Sequence, residues 1–388
     1  MLDSDGTRNP PAQRLAGPRS AYVHVPFCAH RCGYCDFTLV AGREDLIDDY
    51  LRALETELNS LGQPVTLDTL FVGGGTPTLL SAAQLDQLMR TLQRWFHLAD
   101  GYEFSVEANP FGLDADKVGV LAMGRVNRVS LGVQSFEART LALLERDHTQ
   151  ADVVRAVQWV REAIDNISFD LIFAVPGQTL LEWRNTLRQA IDLRPQHVST
   201  YGLTFEKGTA FWSRRRKHLL EEAPDEQQRE MYSVAMDQLT AAHFEQYEIS
   251  NFSLPGRRCR HNEACWKGLP YYGFGPGAAR YMDGRRETNH RSVTTWLKYV
   301  QSGRSPLGDA ECLPDEERAR EQLIIGLRLC DGVSKAEFRA QTGYSLEQLA
   351  GPTIQRHCRF GLLEETGSHL RLTREGRFLA DSVFVDLV

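Results

Sequence analysis

The sequence predicts an α/β fold: a partial (β/α)6 barrel followed by a small C-terminal winged-helix-like α+β domain. Three observations carry this prediction. Six short β-rich runs alternate with amphipathic helical stretches, the pattern changes after about Phe205, and from Pro306 the order becomes helices, hairpin, helix. The strand candidates are 21–25, 69–72, 103–107, 128–133, 168–174 and 197–203. Between the first two, Leu46, Tyr50, Leu54, Leu58 and Leu61 share one face at helical spacing. Ser81 is placed to cap a helix running through Leu85, Leu88, Leu92 and Phe96, and 151–164 and 180–193 repeat the pattern. Strand–helix alternation implies parallel strands with helical crossovers, and chemistry at the C-terminal ends of the strands.

Composition bounds the rest. The chain has 388 residues, 42% hydrophobic and 24% charged, with a net charge of −7. That length suits one large domain with one or two smaller ones, and that charge disfavours a broad phosphate-binding surface. No apolar run approaches the ~18 residues of a membrane span. The first twenty residues have no apolar centre, so 1–20 is expected to be a disordered lead-in rather than a secretory signal. The expected domains are 21–205 for the barrel, 206–305 for an accessory segment and 306–388 for the winged-helix-like unit. That unit carries ten Arg and Lys against fourteen Asp and Glu, which favours an interaction or lid role over nucleic-acid binding. A cytoplasmic, reducing compartment is expected, where crowded thiols are ligands or catalysts more often than disulfides.

The crowded thiols are Cys28, Cys32 and Cys35, directly after the first strand candidate. Three thiolates within eight residues can wrap one metal–sulfur unit, and on a four-iron cluster they leave one iron open. The alternative is a zinc knuckle. Structural zinc wants four ligands, so His30 or a distant residue would have to supply the last. After the second strand, Gly73, Gly74 and Gly75 precede Thr76 and Pro77, a turn whose backbone can approach a ligand closely. Glu107 ends the third strand, where a carboxylate can accept hydrogen bonds from ribose hydroxyls. Gln134, Arg146 and Asp170 lie at or beyond the next strand ends; each alone could equally be a cap or a satisfied polar group at the barrel rim.

The C-x3-C-x2-C spacing, with Tyr34 before the third cysteine, resembles the signature of radical S-adenosylmethionine enzymes. YVHVPFC, GGGTPT, VEANP, GVQSF and DLIFAVPGQT resemble blocks of the coproporphyrinogen-oxidase-like branch. The resemblance implies the radical-enzyme partial barrel, with a [4Fe–4S] cluster on the three cysteines and S-adenosylmethionine at the open iron. It also implies a cofactor shell of Tyr22, Tyr34, Gly74, Gly75, Thr76, Glu107, Gln134, Arg146, Asp170 and Gly202.

Two functional types share that branch. One is an oxygen-independent oxidase that decarboxylates two propionates of coproporphyrinogen III. The other is a haem chaperone that hands haem to an acceptor protein. The oxidases typically carry a further cysteine where this chain has Phe37, and the chaperones carry H-N-x-x-Y-W where it has His261, Asn262, Cys265 and Trp266. The resemblance therefore favours the chaperone, with haem as ligand and His261 as axial-ligand candidate; Cys265 stands where the family has tyrosine. Imidazole and thiolate both ligate haem iron, and Arg257, Arg258 and Arg260 could meet its propionates. A buried, hydrogen-bonded histidine is the plainer reading of His261. The acceptor protein and the electron donor are not named by the sequence.

Overall fold

Ser81, Thr149 and Thr179 each open a helix with a capping box, in which hydroxyl and third-residue side chain satisfy each other's backbone N–H. These three starts fix most of the crossovers in the computed structural model, which describes residues 17–388. Most of the lead-in expected over 1–20 lies outside the described residues, and Ser20 already belongs to the first strand.

The six predicted strands are β1 (Ser20–Val25), β2 (Val65–Gly74), β3 (Phe96–Ala108), β4 (Arg128–Gln134), β5 (Asn166–Phe173) and β6 (His197–Gly202). They pair in parallel in that order. Their connections hold α1 (Ile47–Leu58), α2 (Ala82–Trp95), α3 (Ala115–Met123), α4 (Ala138–Leu143), α5 (Gln150–Ala163) and α6 (Leu180–Asp192). Val72, Val106, Leu131, Phe169 and Val198 pack outward against the helical faces, which contribute Leu54, Leu88, Val157 and Leu187. Alternation turns Thr69, Glu103, Ser105, Arg128, Ser130, Ser168 and His197 to the other face, the barrel interior, which is therefore polar.

The accessory segment does not stand apart from the barrel. After α7 (Ala210–Arg216) and α8 (Asp225–Ala241), β7 (Glu245–Gln246) and β8 (Asn251–Ser253) add antiparallel strands beyond β6. After α9 (Arg260–Trp266), β9 (Tyr271–Phe274) joins β1 in parallel. It is followed by β10 (Ala279–Met282), β11 (Arg285–Asn289), α10 (Val293–Gln301) and β12 (Leu307–Cys312). The sheet has twelve strands, in the order β12-β11-β10-β9-β1-β2-β3-β4-β5-β6-β8-β7. Leu307–Cys312, expected in the C-terminal unit, pairs with β11 instead, so the boundary falls several residues later.

The C-terminal unit has its own core of Leu323, Phe338, Ile354, Leu370 and Val383. It comprises α11 (Asp315–Gly326), β13 (Val333–Ser334), α12 (Lys335–Thr342), α13 (Leu346–Arg359), β14 (Leu363–Glu365), β15 (His369–Leu372), α14 (Arg374–Phe378) and α15 (Ala380–Leu387). The strands order β13-β15-β14, the predicted hairpin with a short third strand. Phe378 packs edge-on against Tyr232 of α8, and Arg328 reaches the fully buried Glu248 at 2.7 Å. No helix among the described residues is long and apolar enough to cross a membrane.

Glu57 ties α1 to the added strands. Its carboxylate accepts from the Gly275 N–H at 2.8 Å and the Asn289 amide at 2.6 Å. Burial pushes its pKa up from 4.5 to about 7 despite those donors. The folded state therefore keeps a proton that the unfolded chain releases between about pH 4.5 and 7, and stability falls as pH rises through that window. Thermal midpoints measured across it should decline, and Glu57→Gln should flatten part of the decline. An unaltered slope in the variant would contradict the assignment.

Candidate functional site

The cysteine loop is closed at its base and braced from within. Phe27–Cys28 pairs in parallel with Val40–Ala41, and Val40 N–H donates to the Pro26 carbonyl at 2.8 Å. The Arg31 guanidinium spans the loop to the Leu39 carbonyl at 3.1 Å, while Arg291 holds the Asp36 carbonyl and the Thr38 hydroxyl from outside. Gly33 lies so close against Phe211 that an added Cβ would stand 2.5 Å from its ring.

The three thiols share this loop. Cys28 Sγ lies 3.5 Å from Thr76 Oγ1, and the Arg146 guanidinium approaches Cys32 Sγ at 3.9 Å while donating to the Gly132 carbonyl at 3.0 Å. Burial raises the Cys28 thiol and pushes Cys35 up to about 11, and in each case neighbouring cysteines add to the rise. Three thiols this close to one another resist ionising together unless a cation sits between them. His30 Nε2 lies 3.6 Å from Cys32 Sγ but both its ring nitrogens are engaged, by the Glu145 carbonyl and by Asp147, so three sulfurs with a guanidinium alongside suit an iron–sulfur unit bound through three corners.

Beside the loop, the end of β2 makes three close approaches. Gly74 has φ +112°, and a Cβ there would meet the His24 ring at 2.4 Å. A Cβ at Gly75 would meet the Phe27 carbonyl at 2.6 Å, and one at Gly73 the Glu107 carboxylate at 2.7 Å. Glu107 accepts from the Gly74 N–H at 2.9 Å. Burial, with Asp170 nearby, pushes its carboxyl up to about 7. Asp170 itself is raised by burial and accepts from the Ser130 hydroxyl at 3.1 Å. His24 is pinned from both sides, by Tyr22 Oη at 3.0 Å and the Thr38 carbonyl at 2.6 Å. Gln134 ends β4 with φ +60° beside a register shift against β5, a local strain that turns the chain at the mouth. Tyr34 packs edge-on against Phe211, and Gly202 ends β6 against the Phe173 ring. Tyr22, Tyr34, Gly74, Gly75, Thr76, Glu107, Gln134, Arg146, Asp170 and Gly202 thus come from six strands and their loops toward the cysteine end of the barrel.

His261 does not. It opens α9 deeper in the barrel, beside Thr69, four residues before Gly73 on β2, with the Tyr22 ring of the shell 6.4 Å from its own. Its Nδ1 lies 3.2 Å from Thr69 Oγ1, its ring packs on Phe71 at 5.2 Å, and it is only 6% exposed. Burial pushes it down to about 4, so it is neutral. The expectation of an available iron ligand therefore meets a packed histidine, and ligation here would require α9 to part from the barrel. Cys265 is equally unready, its thiol pushed up to about 11 by burial. Arg257 and Arg258 pair with Asp165 and Asp331, and Arg260 bonds the Gly101 carbonyl.

Around His261 the barrel floor is one hydrogen-bonded plug. Glu103 accepts from the backbone N–H groups of Arg260 and His261 at 3.0 and 3.1 Å. Cys259 N–H donates to Tyr247 Oη, leaving that hydroxyl to donate to His197 Nε2 at 2.8 Å. His197 Nδ1–H is then free to donate to Ser168 at 2.8 Å. Arg128, 2% exposed, is the cation beneath the site. Sequence reasoning missed Arg128, Glu103 and His24, whose strand positions show alternation but not what they meet. It also missed Phe211, which no local pattern ties to Gly33.

The family model of the Radical SAM superfamily matches residues 22–190, and that of the HemN C-terminal domain matches 313–379. The chain is 40% identical over 372 residues to a protein of Bacillus subtilis named Heme chaperone HemW, covering 94% of this chain and 98% of that one. The Escherichia coli K12 protein of the same name is 33% identical over 378 residues, covering 94% and 97%. Among solved structures, coproporphyrinogen III oxidase (HemN) from Escherichia coli superposes with a TM-score of 0.84 at 21% identity, over 97% of this chain and 91% of that one. At that identity the likeness speaks for the fold.

Gly74→Ala tests the close approach on which this site is built. The substitution meets both a disfavoured φ and a pinned His24 ring, and should cost roughly 1–3 kcal/mol or more. Chemical denaturation of the purified protein would read it; a midpoint equal to wild type would show that the turn relaxes freely.

Proposed function

The chain belongs to the heme chaperone HemW family within the radical SAM superfamily, and from that premise we propose that it binds haem and passes it to an acceptor protein. In this reading it carries a [4Fe–4S] cluster on Cys28, Cys32 and Cys35, with S-adenosylmethionine beside it. The observation that carries the reading is similarity along the whole length to proteins of that name, with the three-thiol loop in place and Phe37 where the oxidases carry a cysteine. Bound there, the cluster would supply one-electron chemistry to S-adenosylmethionine.

The remaining residues have separable roles. Arg146 offsets thiolate charge at Cys32 and fixes the Gly132 carbonyl. Glu107 holds the Gly74 amide with one oxygen and has the other available for a ribose hydroxyl. The Gly73–Thr76 turn presents backbone to the methionine end of the ligand, because no Cβ intervenes. Tyr34, Gln134, Asp170 and Gly202 complete the rim around the adenosine.

Three outcomes test this. Anaerobic reconstitution should give about four irons per chain and a brown chromophore, lost on Cys28→Ala, Cys32→Ala or Cys35→Ala. Tightly bound zinc without colour would overturn the cluster. Glu107→Gln should keep the cluster and weaken S-adenosylmethionine binding by about 1.5–3 kcal/mol in calorimetry, and wild-type affinity would reduce Glu107 to a turn-holding residue. The protein should retain added haem and leave coproporphyrinogen III unconverted when reduced and supplied with S-adenosylmethionine. Release of carbon dioxide from that substrate would replace the carrier with the decarboxylating oxidase.

A further inference from the structure

Arg146, Asp147 and His148 follow one another after α4, and each sends its side chain to the mouth of the barrel. Only Arg146 belongs to the cofactor shell. The chain reaches them through a left-handed residue: Glu145 has φ +56°, and Arg146 N–H returns to the Leu141 carbonyl at 2.9 Å. The Glu145 carbonyl thereby faces the cysteine loop, where it meets His30 Nε2 and lies 3.6 Å from Cys32 Sγ. Asp147 takes the other ring nitrogen of His30 at 2.8 Å. On the barrel side, Arg146 donates to the Gly132 carbonyl at 3.0 Å, and His148 Nε2 meets the next carbonyl, that of Val133, at 2.8 Å. One short strap thus fastens the cysteine loop to two successive carbonyls at the end of β4.

The Val133 carbonyl governs Gln134. It also accepts from Ser135 N–H at 2.7 Å, a bond that spans only two residues. With φ +60° at Gln134 this is a γ-turn of the positive-φ form, the rare and strained one. Such a conformation persists only where its surroundings over-determine it. Beyond the turn, Ser135 Oγ accepts from Glu137 N–H at 3.1 Å and lies 3.3 Å from Thr186 Oγ1 of α6. Before it, the fixed point is His148. Between them the Gln134 amide folds back over Gly132, where an added Cβ would stand 3.1 Å from its Nε2 and 3.3 Å from the Arg146 guanidinium.

His148 has one proton to give and one place to give it. The ring is 3% exposed, and burial, with the Arg146 charge beside it, pushes it down to about 4, so it is neutral. A carbonyl only accepts, which puts the single ring proton on Nε2. Nδ1 is buried without a partner among the described residues. We propose that His148 is a positioning residue for S-adenosylmethionine: it holds the strained turn that aims Gln134 at the adenosine, in register with the cysteine loop to which Asp147 ties the same strap. The proposal rests on the cofactor-shell reading and deepens it.

The test is calorimetric titration of S-adenosylmethionine into the anaerobically reconstituted full-length protein, with iron counted for every variant. Gln134→Ala sets the benchmark. His148→Leu, which fills the buried site without a donor, should weaken binding roughly three- to tenfold at wild-type iron content, the worth of one hydrogen bond. Should it fail to fold, His148→Asn, whose shorter amide falls short of the carbonyl, takes its place with the same expectation. His148→Gln, whose amide can donate to that carbonyl, should recover most of the affinity. Gln134→Ala combined with His148→Leu should bind no more weakly than Gln134→Ala alone, because the imidazole acts through that side chain. Additive losses, no rescue by glutamine, or wild-type affinity without the imidazole would each overturn the proposal while leaving the shell intact. If Gln134→Ala itself binds as tightly as wild type, Gln134 leaves the shell and the proposal falls with it.

Discussion

Three successive glycines at the end of β2 allow the backbone to pass within contact of three neighbours at once: the His24 ring, the Phe27 carbonyl and the Glu107 carboxylate. Much of the mouth's geometry follows from that approach. It sets the height of the cysteine loop above the barrel, because Phe27 leads directly into Cys28. It gives Glu107 a backbone amide to hold. It also traps His24, which in turn orders Tyr22 below and Thr38 on the far limb of the loop. A side chain at any of the three positions would move a different partner.

Much of this was legible in the sequence. The six parallel strands show because each is a short apolar run bounded by polar or glycine-rich turns, and Ser81 announces its helix by cap chemistry, whereas the equivalent caps at Thr149 and Thr179 emerge only from the fold. The cysteines announce themselves by spacing alone. The additions to the sheet were hidden. Residues 268–284 are dense in glycine and tyrosine, with no strand expected there, yet Tyr271–Phe274 finds the open edge of β1 and pairs there. His261 was hidden differently. A motif reports residue types at a position and says nothing of direction, and only the fold shows that α9 turns its first residues into the barrel. The positive φ of Gln134 has no local signal, since nothing in GVQSF demands it.

The polar interior departs from the usual stack of branched aliphatic side chains inside a barrel. Arg128 is the reason it can exist. Its charge is balanced by the Glu103 and Asp170 carboxyls around it, and it in turn disfavours protonation of His197 and His261, adding to their burial. Glu103, Tyr247, His197 and Ser168 are linked by hydrogen bonds under the cofactor shell, while the buried Arg128 Nε is left without a partner among the described residues.

The plug formed by α9 has a consequence for traffic. Tyr247, His197 and Cys259 are wholly buried and Arg128 nearly so, so the chamber is stoppered at one end. Nothing can reach the glycine turn through that floor, so a ligand held at the mouth has to enter and leave on the side of the cysteine loop or past the unclosed ends of the sheet.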